Sequence, residues 1–131
     1  GVTNIIQYVT IASAANSLDF GDLSSTRQRL AGASSSTRGL FMGGGGTNII
    51  EYITIASTGN ATDFGDLTES VDWVSALANQ TRAVRAGGGS PTNVMDYVTI
   101  ATTGNAIDFG DLVAAKRQQG QGASNSHGGI A

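Results

Sequence analysis

The residues best suited to chemistry are the two aspartates of Asp63-Phe64-Gly65-Asp66. An aspartate ahead of Phe-Gly holds magnesium in protein kinases, and a pair of hard carboxylates is the kind of ligand calcium prefers. The string DFGDL, however, occurs three times, at residues 19–23, 63–67 and 108–112. An active site is normally built once per domain, whereas a motif returning at near-equal spacing belongs to a repeat. The kinase reading also lacks its companions, a Gly-rich phosphate loop with a paired lysine and an HRD-type loop. The architectural reading gives Phe64 to packing between repeat units, Gly65 to a bulge and the aspartates to turn amides. No metal site is therefore expected.

The remaining candidates are few. The glycine runs at 43–46 and 87–89 could suggest phosphate binding, but a P-loop needs a following Lys-Ser/Thr and a helix, and neither follows here. Close approach of backbones explains them better. His127 is the only histidine and Lys116 the only lysine. A general base needs a positioned partner, and nothing in the sequence nominates one, so no catalytic residue is assigned. His127 aligns with Thr37 in a turn and reads as a loop residue. Arg38 and Arg82 share one repeat position beside Ser/Thr-rich turns. With His127 they are the candidate ligand-binding residues, as loop groups for a glycan or another anion. The competing reading has the two arginines bonding carbonyls of a neighbouring unit and the DFGD carboxylates.

These residues sit on a repeat of three copies. Copies begin at Thr3, Thr47 and Thr92, steps of 44 and 45 residues, and define units 3–46, 47–91 and 92–131 of one domain spanning 1–131. Within a unit, IIEYITIAS is rich in β-branched and aromatic residues, which favours a strand. Alternation puts Ile49, Glu51, Ile53 and Ile55 on one face and Ile50, Tyr52, Thr54 and Ala56 on the other. Both faces are largely apolar, so the strand should be covered on both sides. Thr58-Gly59-Asn60 reads as the turn, and residues 61–67 run back antiparallel with Phe64 and Leu67 as packing residues. LAGASSS and RGLFMGG supply two more short strands. Residues 69–85, around Trp73, are the one stretch where a short helix competes.

Composition sets the wider limits. Charged residues are only 13% and the 19 glycines are about twice the usual share, which suits short strands between tight turns. The net charge of −3 offers no basic patch for nucleic acid. Eight of the ten acids fall at repeated positions: six in DFGD, plus Glu51 and Asp96 at one equivalent site. The acidity thus belongs to the repeat. There is no cysteine for a disulfide or thiolate site. No apolar run approaches the ~20 residues that span a bilayer, and no secretion signal is apparent. Neither a membrane nor a cofactor is expected.

Four antiparallel strands per 40–50 residues describe a propeller blade. The order R-x-x-L-A-G-A-S-S-S-T-R-G-L-F-M-G-G-G-G, then N-I-I-E-Y-I-T-I-A-S-T-G-N-A-T-D-F-G-D-L, resembles a kelch repeat. Arg27, Gly43-Gly44, Tyr52 and Phe64 match that family's pattern, with phenylalanine for its usual tryptophan; the second unit has Val71 where the first has Arg27. The wording NIIEYITIASTGNATDFGDLT, with SSSTRG and SNSHGG, also resembles repetitive virion and tail-fibre proteins of marine bacteriophage, especially cyanophage. The first resemblance implies an all-β propeller of four-stranded antiparallel blades. The second implies a non-enzymatic structural or adhesion protein located in a virion, presenting loops to other virion proteins or to host-surface glycans. A lectin-like carbohydrate-binding propeller is the alternative. Propellers close with about four to eight blades. The chain opens at the third strand of a blade and reaches the second at 129–131, so head-to-tail pairing of two chains, giving six blades, is the expected homo-oligomer.

Overall fold

The computed structural model describes residues 1–117 and 122–124. They are all-β, with ten strands in three antiparallel sheets and no helix among the described residues. The first sheet is a hairpin of β1 (Ile5–Tyr8) and β2 (Leu18–Asp22). The second runs β3 (Ala31–Ser34), β4 (Arg38–Met42), β5 (Thr47–Thr54) and β6 (Thr62–Val71), each strand paired with the next. The third repeats that meander with β7 (Ser75–Ala78), β8 (Arg82–Ala86), β9 (Thr92–Thr99) and β10 (Ile107–Lys116). Sheet boundaries are offset from the sequence repeat: β3 and β4 come from one unit, β5 and β6 from the next. The opening hairpin β1–β2 is accordingly the counterpart of β5–β6 and β9–β10.

The strands follow from the period-two pattern, and burial shows why both of their faces are apolar. In β5 the adjacent residues Ile50 and Glu51, which point to opposite faces, are 0% and 1% exposed. The sheet is covered on both sides. Leu40, Met42, Ile50, Phe64 and Leu67 form one continuous core with Val98 of the third sheet and Ile100 in the turn that follows β9. Full burial of an aliphatic side chain of this size contributes about 1.5–3 kcal/mol. A smaller cluster of Ile6, Phe20 and Leu23 joins the first hairpin to Phe41 and Ile53 of the second sheet and to Leu30 just before it.

Two sequence expectations change. The reversal in each long hairpin is not at Thr58-Gly59-Asn60. It comes earlier, where the Ser57 amide donates to the Thr54 carbonyl at 3.1 Å. The TGN residues that follow are instead free to lie along the neighbouring sheet. The stretch 69–85 is not helical: β6 continues to Val71, Trp73 turns the chain with φ of +55°, and β7 and β8 follow. The Trp73 ring is held by the Arg29 guanidinium, 4.4 Å from its centroid, and Arg29 also reaches Asp72 at 2.9 Å. That cluster fixes a left-handed corner where a helix would need continuous right-handed backbone.

The DFGD motif behaves as a bulge. Ile50 pairs with Gly65 and Glu51 with Asp63, so Phe64 is the extra residue and is turned into the core, 2% exposed. Its ring meets Tyr52 edge to face at 5.9 Å, a contact repeated by Tyr8–Phe20 and Tyr97–Phe109 at 5.8 Å each. Because the second and third sheets share one core, Ile50→Ala should lower the unfolding free energy by about 2–5 kcal/mol in urea titration. Thr54→Ala, at the exposed end of the same strand, should stay within about 0.5 kcal/mol of wild type.

Candidate functional site

Chemistry in this chain concentrates where one sheet meets the next. At the centre of each such junction lies the acidic residue of the long strand, Glu51 or Asp96, both buried among apolar neighbours. A buried carboxylate is tolerable only if paired and fully hydrogen-bonded. Asp96 meets that demand from two sheets. Arg85, its cross-strand neighbour on β8, donates through Nε at 2.9 Å and Nη2 at 2.7 Å, a two-pronged fork. Thr68 of the second sheet donates its amide at 2.9 Å and its hydroxyl at 2.6 Å. Arg85 is itself fully buried and reaches Glu69 at 2.9 Å and the carbonyls of Gly87 and Val94 at 3.2 Å.

Glu51 solves the same problem differently. Its cross-strand neighbour on β4 is Phe41, so the cation arrives from the chain segment before β3. Arg27 donates through Nη2 to Glu51 Oε2 and through Nη1 to the carbonyls of Gly43 and Ile49, at 2.9 and 3.0 Å. Ser24, the repeat counterpart of Thr68, donates its amide to Glu51 Oε1 at 2.8 Å. Arg27 Nε has no partner among the described residues, so this pair lacks the fork made by Arg85. The substitution of Val71 for Arg27 in the second unit is thus offset by Arg85, which sequence reading missed. The signal was available as an acid repeated mid-strand between isoleucines or their equivalents, which requires a cation nearby.

The DFGD strand closes each junction at its edge. At the second junction Gly104 and Ala106 donate amides to the carbonyls of Phe64 and Asp66, at 2.8 and 2.7 Å. Asn105 Oδ1 accepts from the Asp66 amide at 3.0 Å. The first junction repeats all three bonds: Gly59 to Phe20 at 2.7 Å, Ala61 to Asp22 at 2.8 Å, and the Asp22 amide to Asn60 Oδ1 at 3.0 Å. The motif therefore works through its backbone. Its first aspartates, Asp19, Asp63 and Asp108, lie at the surface, and the second aspartates bond through main-chain groups. The expectation that the carboxylates serve turn amides is replaced by this pairing. Gly65 has φ of +142°, and a Cβ there would run into the Gly104 carbonyl.

The remaining candidates fall into place around this frame. Arg38 lies over the Tyr52 ring, 4.5 Å from its centroid, and donates to the Ile100 carbonyl of the third sheet at 2.9 Å. Arg82 lies over Tyr97 at the same 4.5 Å but is exposed. Both arginines thus stack on tyrosines, not on DFGD carboxylates, and only the carbonyl half of that expectation is met, by Arg38. His127 lies outside the described residues. The amides of Gly43, Gly44 and Gly45 are committed to Ile49, Val71 and Gln28 carbonyls at 2.9–3.0 Å, which leaves no phosphate cradle. Among the described residues no group of three or more His, Cys, Asp or Glu side chains could hold a metal ion.

One surface feature recurs beside the junctions. Beside the tip of the β5–β6 hairpin is an open depression of about 360 Å³ next to Tyr52, Thr54, Ser57 and Asn60. A second, of about 330 Å³, lies next to Tyr97, Thr99, Thr102 and Asn105. These residues are repeat equivalents, and Arg38 and Arg82 pair in register with Thr54 and Thr99. No helix among the described residues is long and apolar enough to cross a membrane. No known protein-family profile matches the chain, and no curated protein matches it at a significant level.

Removing Arg85 alone should strand Asp96 in the core, so Arg85→Leu is expected to cost about 3–5 kcal/mol in chemical denaturation. Replacing both members by leucine should recover much of that loss. An equally stable single variant would contradict the role given to the pair. Gly65→Ala should likewise destabilise, by strain and by collision with Gly104.

Proposed function

We propose that the chain is a non-enzymatic structural or adhesive module of a virion, a kelch-like propeller segment whose stacked sheets hold hairpin tips and loops outward. The observation that carries this reading is the deployment of the repeated polar groups. Glu51, Asp96, Asn60, Asn105 and the DFGD backbone are all engaged in joining one sheet to the next. A chain whose recurrent polar residues are committed to sheet joining is organised as a scaffold, and rigid scaffolds carry recognition on their loops. The closed form would be two chains supplying six blades, within the range that propellers use. The resemblance of the repeat wording to bacteriophage virion proteins is what supports a location in the particle. Fold alone does not assign a ligand.

A second reading, a lectin-like module, is favoured by one specific feature: the twin hairpin depressions, each with a tyrosine, a Thr/Ser pair and an asparagine at equivalent positions. Hydroxyl-rich sites repeated along a scaffold suit multivalent sugar binding.

Proteomic analysis of purified particles of the encoding phage should recover peptides of this chain at structural stoichiometry. Peptides confined to the infected-cell lysate would remove the virion reading. For the second reading, a glycan array should show binding that Ser57→Ala with Thr102→Ala abolishes while the circular dichroism spectrum is unchanged. Binding untouched by that pair would locate recognition elsewhere.

A further inference from the structure

The two outer faces of the described stack carry the two halves of the internal junction. On the face formed by β10, Phe109, Asp111 and Val113 occupy the repeat positions of Phe64, Asp66 and Thr68. Phe109 is 48% and Val113 108% exposed, whereas Phe64 is 2%. A Cβ built on Gly110, with φ of +131°, meets nothing within 4 Å, although its equivalent at Gly65 would strike a carbonyl. On the opposite face Ala15, Asn16 and Ser17 occupy the positions of Gly104, Asn105 and Ala106, and all three are exposed. Ile11 is 98% exposed, while its equivalents Ile55 and Ile100 are 44% and 1% exposed, the latter beneath the second sheet.

From this match the geometry points to a second copy of this chain as the partner of the β10 face, docked through its 11–17 segment in the register of the internal junctions. The proposal rests on the structural-module reading above and names its partner and contact. Ala15 and Ser17 of one copy would donate amides to the Phe109 and Asp111 carbonyls of the other. Asn16 Oδ1 would accept from the Asp111 amide. Arg82, exposed here, would reach the Ile11 carbonyl as Arg38 reaches Ile100. The alanine at 15 in place of glycine is compatible with the geometry of the second junction, because a Cβ at Gly104 meets nothing within 4 Å.

One substitution favours a contact made between separate molecules. The carboxylate position that is Glu51 and Asp96 inside the chain is Gln7 on the open face, and Gln7 is exposed. An ionised carboxylate there would have to be stripped of water at every docking event and matched with a cation. An amide oxygen can accept the Val113 amide as Glu51 accepts that of Ser24, at a far smaller desolvation cost. The internal junctions form once, on folding, and carry charge; the open face carries the neutral version.

Two variants test the contact without touching the internal junctions. Ala15→Pro removes the donor to Phe109, and Gly110→Ala places a methyl where the Ala15 carbonyl of the partner would lie. In sedimentation equilibrium the wild-type chain should self-associate, and each variant should weaken association at least about tenfold, the equivalent of 1.4 kcal/mol. Their circular dichroism should match wild type, with Gly110→Ala somewhat less stable because an alanine is strained at its φ of +131°. Mixed together, the two variants should form a one-to-one dimer, because one molecule retains a sound 11–17 segment and the other a sound β10 face. A wild-type chain that stays single, or association indifferent to both substitutions, overturns the proposal. So does a mixture that fails to pair while both variants remain folded. Because particle proteomics reads a different quantity, a single copy found at structural stoichiometry in virions would defeat this contact and leave the scaffold reading intact.

Discussion

A carboxylate buried in a β-sheet has to be satisfied on every side, and at Glu51 and Asp96 the partners come from two sheets at once. The arginine neutralises the charge, while the Ser24 or Thr68 amide reaches across from the preceding sheet. Parting the sheets would leave each carboxylate its arginine but strip it of the Ser24 or Thr68 amide, and Arg85 of Glu69, and each buried polar group left unsatisfied costs about 1–3 kcal/mol. The remaining architecture is arranged around this requirement. The core residues on either side exclude water from the pair, and the bulge at Phe64 brings the DFGD edge within reach of the next sheet.

Sheet edges present a related constraint. An outer strand offers a row of unpaired amides and carbonyls that invites uncontrolled association. Here β2 and β6 are covered by the extended TGN segment of the following hairpin, and a glycine at the contact lets two backbones approach. The surface that would otherwise aggregate is given one partner, one register and one asparagine to fix it. What stays exposed at the ends of the described stack is the same surface, with Gln7 in place of the acid.

Much of this could be read from residue types. The three DFGDL copies gave the period, and alternation in IIEYITIAS gave strands buried on both faces, as Ile50 and Glu51 confirm. The packing role of Phe64 and Leu67 followed from their place in the repeat. The turn was misplaced because glycine and asparagine are shared by turns and by close backbone contacts, and local sequence does not separate the two. Arg85 was overlooked for a different reason. It occupies the position of Phe41 in the preceding unit, so repeat alignment hides which residue supplies the cation that an acid in a doubly covered strand requires. The helix considered for 69–85 failed because Trp73 and Arg29 lock a corner that depends on a contact distant in sequence.

The central claim is that adjacent sheets are held as one unit by the junction bonds, not merely laid against each other. Native-state hydrogen exchange tests it most directly. The amides of Thr68, Gly104 and Ala106 should exchange together, with an opening free energy equal to that of global unfolding. Fast, independent exchange at these three amides, while the ladders inside each sheet stay protected, would contradict it.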